Sequence, residues 1–278
     1  VNKKNAEQFL NQELEKWNYH NGVYYGISVA EYFEIWLKEI EKEVRPNTFR
    51  SYKTNLIGIP MEEDGMNLEL LGKALKENPS TRFIYVIPNF QNPSGITMSL
   101  KKRKALYALA KKYNVLILED NPYGELRFDG EEVPTLKSMD TEGLVIYCSS
   151  FSKILSAGMR VGYICAPDAV VQKMVVAKQS EDVHTNIFFQ ILCYKYISKC
   201  DIDTHIKGIC KLYKKKCDLM LSCLEKELPS SVKFTRPEGG LFILCTLPGG
   251  IDSTDFVKKL SLRKLAVVPG STFLAEEG

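Results

Sequence analysis

The sequence predicts an α/β fold. Short apolar runs recur between residues 82 and 150, helical sequence alternates with them, and each run ends in a cluster of polar residues. Strands that are apolar along their whole length are expected to be buried on both faces, and intervening helices make such a sheet parallel. The composition agrees with a folded chain, since 45% of the 278 residues are hydrophobic and 26% are charged. The 37 Lys plus Arg against 34 Asp plus Glu leave a net charge of only +3, which does not point to a polyanionic partner. No run of about 18 apolar residues is present. The charged opening VNKKNAEQFLNQELEKW is unlike an apolar leader, so neither export nor membrane insertion is expected.

At about 150 residues per domain the length predicts roughly two domains, and the pattern adds a small module at the front. Residues 1–56 read as helical. Ala6, Phe9, Leu10, Leu14 and Trp17 recur at helical spacing until NYHNGVYYG interrupts them. Ser28, three residues before Glu31, has the spacing of a capping box for a second helix, and Arg45-Pro46-Asn47-Thr48 opens a third.

From Ile57 to about residue 166 the texture is α/β. RFIYVIP (82–88), VLILED (115–120) and LVIYCSS (144–150) read as strands, with a helix from Ser99 to Tyr113. The crossover over 120–143 lacks a long amphipathic helix. Residues 167–278 form the last division. Ile202, Ile206, Ile209, Leu212, Leu221, Leu224 and Leu228 outline a long helix that stops at Pro229 and bridges to a small α+β domain. There VKFTRP, GGLFILCTLP, a helix from Ser253 and LAVVPG predict strand, strand, helix, strand.

None of the eight cysteines has the two-residue spacing of a zinc grip. They read as reduced, buried thiols, with Cys210, Cys217 and Cys223 inside the long helix, and a reducing cytoplasm is the expected location. His184 and His205 have no companion at ligand spacing and read as helix-surface or capping residues. Lys214-Lys215-Lys216 read as the wet face of the long helix.

Ligands of an open parallel sheet bind beyond the carboxyl ends of its strands, where successive loops converge. The three predicted strands lead into Asn89-Phe90-Gln91-Asn92-Pro93-Ser94-Gly95, Glu119-Asp120-Asn121-Pro122-Tyr123 and Ser149-Ser150-Phe151-Ser152-Lys153. Singly, such segments are ordinary turns and a surface lysine. Their coincidence on three successive strand ends marks a site.

The wording of these segments resembles the pyridoxal-phosphate (PLP) aminotransferases of class I/II, fold type I. Gln91-Asn92-Pro93-Ser94-Gly95, Asp120-Asn121-Pro122-Tyr123 and Ser150-Phe151-Ser152-Lys153, followed by Gly158-Met159-Arg160-Val161-Gly162, carry the resemblance from about residue 57 to the end. YVIPNFQNPSG with SFSKILSAGMRVGYI is similar to the 2-aminoadipate and aromatic aminotransferase branch, which also supplies the effector domain of some GntR-type regulators. The implied fold is a partial fold type I large domain with a parallel-rich sheet, joined to an α+β small domain and the front helical module.

The resemblance makes Lys153 the amine that forms a Schiff base with PLP and then carries the proton at the substrate α-carbon. It makes Asp120 the partner of the pyridine nitrogen, which acts as an electron sink while protonated. Tyr123 and Asn92 would hydrogen-bond the ring oxygen O3′, and Ser150, Ser152 and Arg160 would bind the phosphate. Gly158 and Gly162 would permit close backbone approach around Arg160. The implied partners are an amino acid and a 2-oxo acid, with no metal. Family members act as dimers, while this sequence leaves the oligomeric state open.

Against the family pattern, about a hundred residues with a glycine-rich turn and a stacking aromatic have no counterpart at the front. After VVPGSTF the chain stops at Gly278, before the arginine expected to hold the substrate α-carboxylate. Residues 1–56 instead resemble the core-binding region of phage-type tyrosine recombinases, on Trp36-Leu37 and Arg45 through Tyr52. The expectation is a rearranged or truncated aminotransferase with impaired turnover. The alternatives are a non-catalytic PLP-binding remnant, a DNA-binding fusion protein, or another PLP reaction such as β-elimination. Residues 1–56 hold eight Lys plus Arg and eight Glu, a balance that argues against DNA affinity.

Overall fold

The computed structural model describes residues 56–274. The front helices expected over 1–56 lie, all but Leu56, outside the described residues. Ile57–Val267 make up one compact unit, described here by itself.

A two-residue hairpin opens it, β1 (Met61–Glu62) against β2 (Gly65–Met66). Asn67 then caps α1 (Leu68–Glu77), its side chain accepting from the Leu70 amide at 2.9 Å. β3 (Phe83–Val86) leads to α2 (Leu100–Tyr113), capped by the Ser99 hydroxyl and closed by Asn114 in the left-handed conformation. β4 (Leu116–Asp120), β5 (Val145–Ser150) and β6 (Gly162–Cys165) complete a four-stranded sheet of order β3-β4-β5-β6.

The first three strands are parallel, as expected, and the crossover from β4 to β5 holds only the 3-10 turn Lys137–Met139. β6 was not foreseen. It runs antiparallel to β5, and its first residue, Gly162, is the last of the segment expected to surround the phosphate.

Only one sheet face carries the core. Ile84, Val86, Ile117 and Val145 pack with Leu71 and Leu75 of α1 and Leu106 and Ala110 of α2. The register places Phe83, Tyr85, Leu118, Asp120, Cys148 and Ile164 on the opposite face, where Phe83, Tyr85 and Ile164 are each about half exposed. The expected burial of both faces is therefore corrected: among the described residues both amphipathic helices of the core lie on one side.

Arg103 of α2 is fully buried. Its guanidinium donates to the carbonyls of Met98, Pro88, Val133 and Pro134 and to Asn89 Oδ1 at 2.6–3.2 Å. Glu119, also fully buried, accepts from the Leu136 and Lys137 amides at 2.9 and 2.7 Å. Burial raises the Glu119 carboxyl, while those amides and the Arg103 charge oppose the rise. Together the two side chains tie α2, the end of β3 and the crossover into one frame.

Beyond Pro167 the helices are α3 (Asp168–Glu181), α4 (Ile187–Lys199) and α5 (Ile202–Glu227), the last stopping two residues before Pro229 as expected. β7 (Lys233–Phe234) and β8 (Cys245–Thr246) pair antiparallel, and Asp252 caps α6 (Ser253–Leu262). LAVVPG forms no strand. Leu265 and Val267 are exposed, and among the described residues no strand pairs with them, so this apolar run has no sheet to join.

The cysteines are free, as expected, but Cys193 alone is buried; Cys165, Cys200, Cys223 and Cys245 are exposed. The reading of all eight as buried thiols is corrected, because helical periodicity does not say which face has a partner to cover it. His205 instead lies against the Ile154 carbonyl at 2.8 Å.

Candidate functional site

The carboxyl ends of β3, β4 and β5 bring the predicted residues into one neighbourhood. Asp120 ends β4 and is half-buried. Its Oδ2 accepts from the Tyr85 hydroxyl at 2.8 Å, and the Cys148 thiol lies 3.7 Å from Oδ1. Tyr123, three residues on, is buried, with Phe242 edge-on to its ring at 5.3 Å. Burial first, then the Asp120 charge, raise the Tyr123 phenol, while a hydrogen bond from Asn92 works the other way. The Lys153 ammonium sits over the Tyr123 ring, 5.9 Å from its centroid. Lys153, Tyr123, Asn92 and Asp120 are thus linked through Tyr123.

A buried chain of side-chain amides stands behind them. Arg103 donates to Asn89 Oδ1, Asn89 to Asn121 Oδ1 at 2.8 Å, and Asn121 to the Tyr147 hydroxyl at 3.1 Å. The Ser149 hydroxyl donates to the Asn121 carbonyl at 3.0 Å. Each loop end is held by its neighbour, and the segment between Asp120 and Tyr123 is pinned at Asn121.

The three predicted anion ligands differ. The Ser150 hydroxyl donates to Ser152 Oγ at 2.8 Å and accepts from the Ser152 amide at 3.0 Å. Ser150 pairs with Gly162 across β5 and β6, and the Ser150 hydroxyl also lies 3.3 Å from the Val161 carbonyl, next to Arg160 in the chain. Arg160 is exposed, takes a left-handed φ of 53°, and donates to the Ala157 carbonyl at 3.2 Å. A non-glycine residue held there is locally strained. A Cβ on Gly162 would stand 2.8 Å from the Ser149 carbonyl oxygen, so the close approach read for Gly162 is real. A Cβ on Gly158 would meet the Ser156 hydroxyl at 3.8 Å, an ordinary contact distance.

Residues 45–278 match the family described as aminotransferase class I and II. The chain belongs to this family. The match takes in Arg45 through Tyr52, the stretch on which the recombinase resemblance rested, and that resemblance is not supported. Among curated aminotransferases, the chain is 45% identical over 231 residues to aromatic-amino-acid aminotransferase 1 of Thermococcus litoralis, covering 82% of this chain and 55% of the relative. It is 35% identical over 234 residues to 2-aminoadipate transaminase of Thermus thermophilus, covering 83% and 58%. Among solved structures, the kynurenine aminotransferase of Pyrococcus horikoshii, in complex with PMP, kynurenine and its product, superposes with a TM-score of 0.78 at 42% identity. That likeness covers 82% of this chain and 58% of the other. The chain spans a little over half the length of the curated relatives it matches.

The aminotransferase family is PLP-dependent, and the donor set here fits that cofactor. An amine, a carboxylate, an amide and a phenol gather on one side of the strand ends, with two hydroxyls and a guanidinium on the adjoining turn. The buried Asn92 Oδ1 has no hydrogen-bond partner among the described residues, an open acceptor within this set. Sequence reasoning missed Tyr85, Cys148, Asn89, Asn121 and Tyr147. Strand parity could have found two of them, because Tyr85 and Cys148 fall on the same face as Asp120 once the register is known. Among the described residues no cluster of side chains could hold a metal ion, and no helix is long and apolar enough to cross a membrane.

Proposed function

We propose that this chain moves an amino group from an amino acid to a 2-oxo acid with PLP held by Lys153. The grouping of Lys153, Tyr123, Asn92 and Asp120 at the carboxyl ends of adjacent strands, in a chain of the aminotransferase family, carries this reading. PLP, when bound, supplies a carbonyl carbon for exchange between amines and a ring that withdraws electrons from the α-carbon.

The protein's own residues do the rest. Lys153 would hold the cofactor through its carbonyl carbon, and its amine is the group that would move a proton at the substrate α-carbon. The Asp120 carboxylate stabilises a proton on the ring nitrogen. Tyr123 and Asn92 donate to the ring hydroxyl oxygen, and the packing of Phe242 keeps the Tyr123 ring in place. Ser150 and Ser152 offer hydroxyls to the phosphate. Arg160 would exchange its single bond to a neutral carbonyl for a charge-assisted pair with the phosphate.

The names of the relatives support an aromatic amino acid or 2-aminoadipate as the amino donor. Residues 57–166 serve as the large-domain part, with 167–278 as bridging helix and small domain, and the working form is a homodimer. Free cysteines support a cytoplasmic location.

The test is borohydride reduction of the chain incubated with PLP, followed by peptide mass analysis. Wild type should carry the reduced cofactor at Lys153 and Lys153→Ala should carry none. Equal labelling of the two chains would overturn the assignment. Conversion of the bound cofactor to its amine form by added amino acids then measures turnover.

A further inference from the structure

Asp120 has an unusual set of neighbours for a carboxylate assigned to a charged partner. No Lys or Arg pairs with it among the described residues; its contacts are the Tyr85 hydroxyl and the Cys148 thiol. The sheet register explains both. Asp120 pairs directly with Cys148 on β5, and Tyr85 on β3 pairs with Leu118, two residues back on the same face as Asp120. At that diagonal a tyrosine is long enough to reach the strand end.

The two oxygens are treated differently. Oδ2 receives a full hydrogen bond of 2.8 Å from a phenol. Oδ1 meets a thiol at 3.7 Å whose one proton also faces the Glu119 carbonyl at 3.5 Å. A thiol is a weak donor, so Oδ1 keeps most of its accepting capacity. We propose that Tyr85 is a positioning residue for Asp120, fixing one carboxylate oxygen so that the other is presented to the protonated ring nitrogen of the cofactor.

A neutral donor suits this task better than a cation. It orients the carboxylate without cancelling the charge that the ring proton needs. Burial first, then the hydrogen bond and charge of Asp120, hold the Tyr85 phenol well above its usual range. Burial and then the Asp120 charge push the Cys148 thiol up to about 12. Both groups therefore carry their protons at neutral pH. Tyr123 also senses the Asp120 charge.

This inference rests on the proposed function, and two measurements separate their failures. The first needs no cofactor: the full chain is labelled at the tyrosine ζ-carbon, and the Tyr85 resonance is assigned by its loss in Tyr85→Phe. Asp120→Asn should move that resonance and Lys153→Ala should not; a resonance indifferent to Asp120→Asn overturns the proposal. The second is PLP retention on dialysis. Tyr85→Phe should weaken it about tenfold or more, the effect of one lost hydrogen bond to a charged group, and should add nothing in the Asp120→Asn background. An equal loss in both backgrounds means that Tyr85 acts elsewhere and overturns the proposal. If wild type and Lys153→Ala retain the cofactor alike, the proposed function fails, and the resonance alone then judges whether Tyr85 holds Asp120.

Discussion

The Asp140 carboxylate, its side chain 1% exposed, sits at the turn into β5. It accepts from Lys137 Nζ, the Leu144 and Val145 amides and the Tyr107 hydroxyl at 3.0–3.1 Å. Burial alone would raise its pKa, but the Lys137 ammonium and the two amides outweigh it and pull the group down to about 2 from an ordinary 3.8. A depressed carboxyl contributes stability that is complete above its unfolded value, near 4, and is lost as pH falls through 2. The size is roughly 2 kcal/mol. Urea unfolding of wild type and Asp140→Asn should show a stability gap that narrows by about that amount between pH 5 and pH 2 or below. A gap independent of pH would show that the charge does not hold the turn. At this scale the sequence was legible where chemistry follows neighbours in the chain, as with Lys153 after Ser150 and Ser152, or Tyr123 after Asp120. It was silent on Asp140 and Tyr85, because their partners come from distant segments. Tyr107 is 33 residues from Asp140, and Asp120 is 35 from Tyr85.

Among the elements, α2 does the most to position the site, through a single side chain. Arg103 reaches out of the helix to four carbonyls and Asn89, and a hydrophobic residue there removes all five of these hydrogen bonds and takes the Arg103 charge away from the buried Glu119. Arg103→Met should cost about 3–5 kcal/mol in urea unfolding and speed amide exchange at Leu136 and Asn121. A cost below about 1 kcal/mol would mean that the frame does not depend on this guanidinium. Helix boundaries were readable because capping is local: Ser99 opens α2, Asp252 opens α6, and Pro229 follows the end of α5. Strands fared less well. β6 was hidden in a glycine-bearing turn, and LAVVPG has the composition of a strand without a partner, because pairing is decided by what lies alongside.

Taken whole, the unit of residues 57–267 ends its sheet at β3, where no described strand pairs with the outer side and Phe83 is 53% exposed. Such an edge with an apolar side chain favours association. Phe83→Lys should lower concentration-dependent light scattering while leaving the thermal midpoint nearly unchanged, since little burial is lost. Scattering that stays the same would place the association surface elsewhere.

By itself the sequence determined the α/β class, the parallel strands, the family and the residues at their carboxyl ends, because these rest on periodicity and short motifs whose physics is contained within a few turns of chain. The tertiary structure alone decided that one sheet face is open among the described residues, that β6 pairs antiparallel at the sheet's end, and that Tyr85, Asn89 and Arg103 hydrogen-bond to residues of the strand ends. Those facts depend on register and on contacts between segments far apart in the chain, and a one-residue change of register would send each of the strand side chains to the other face.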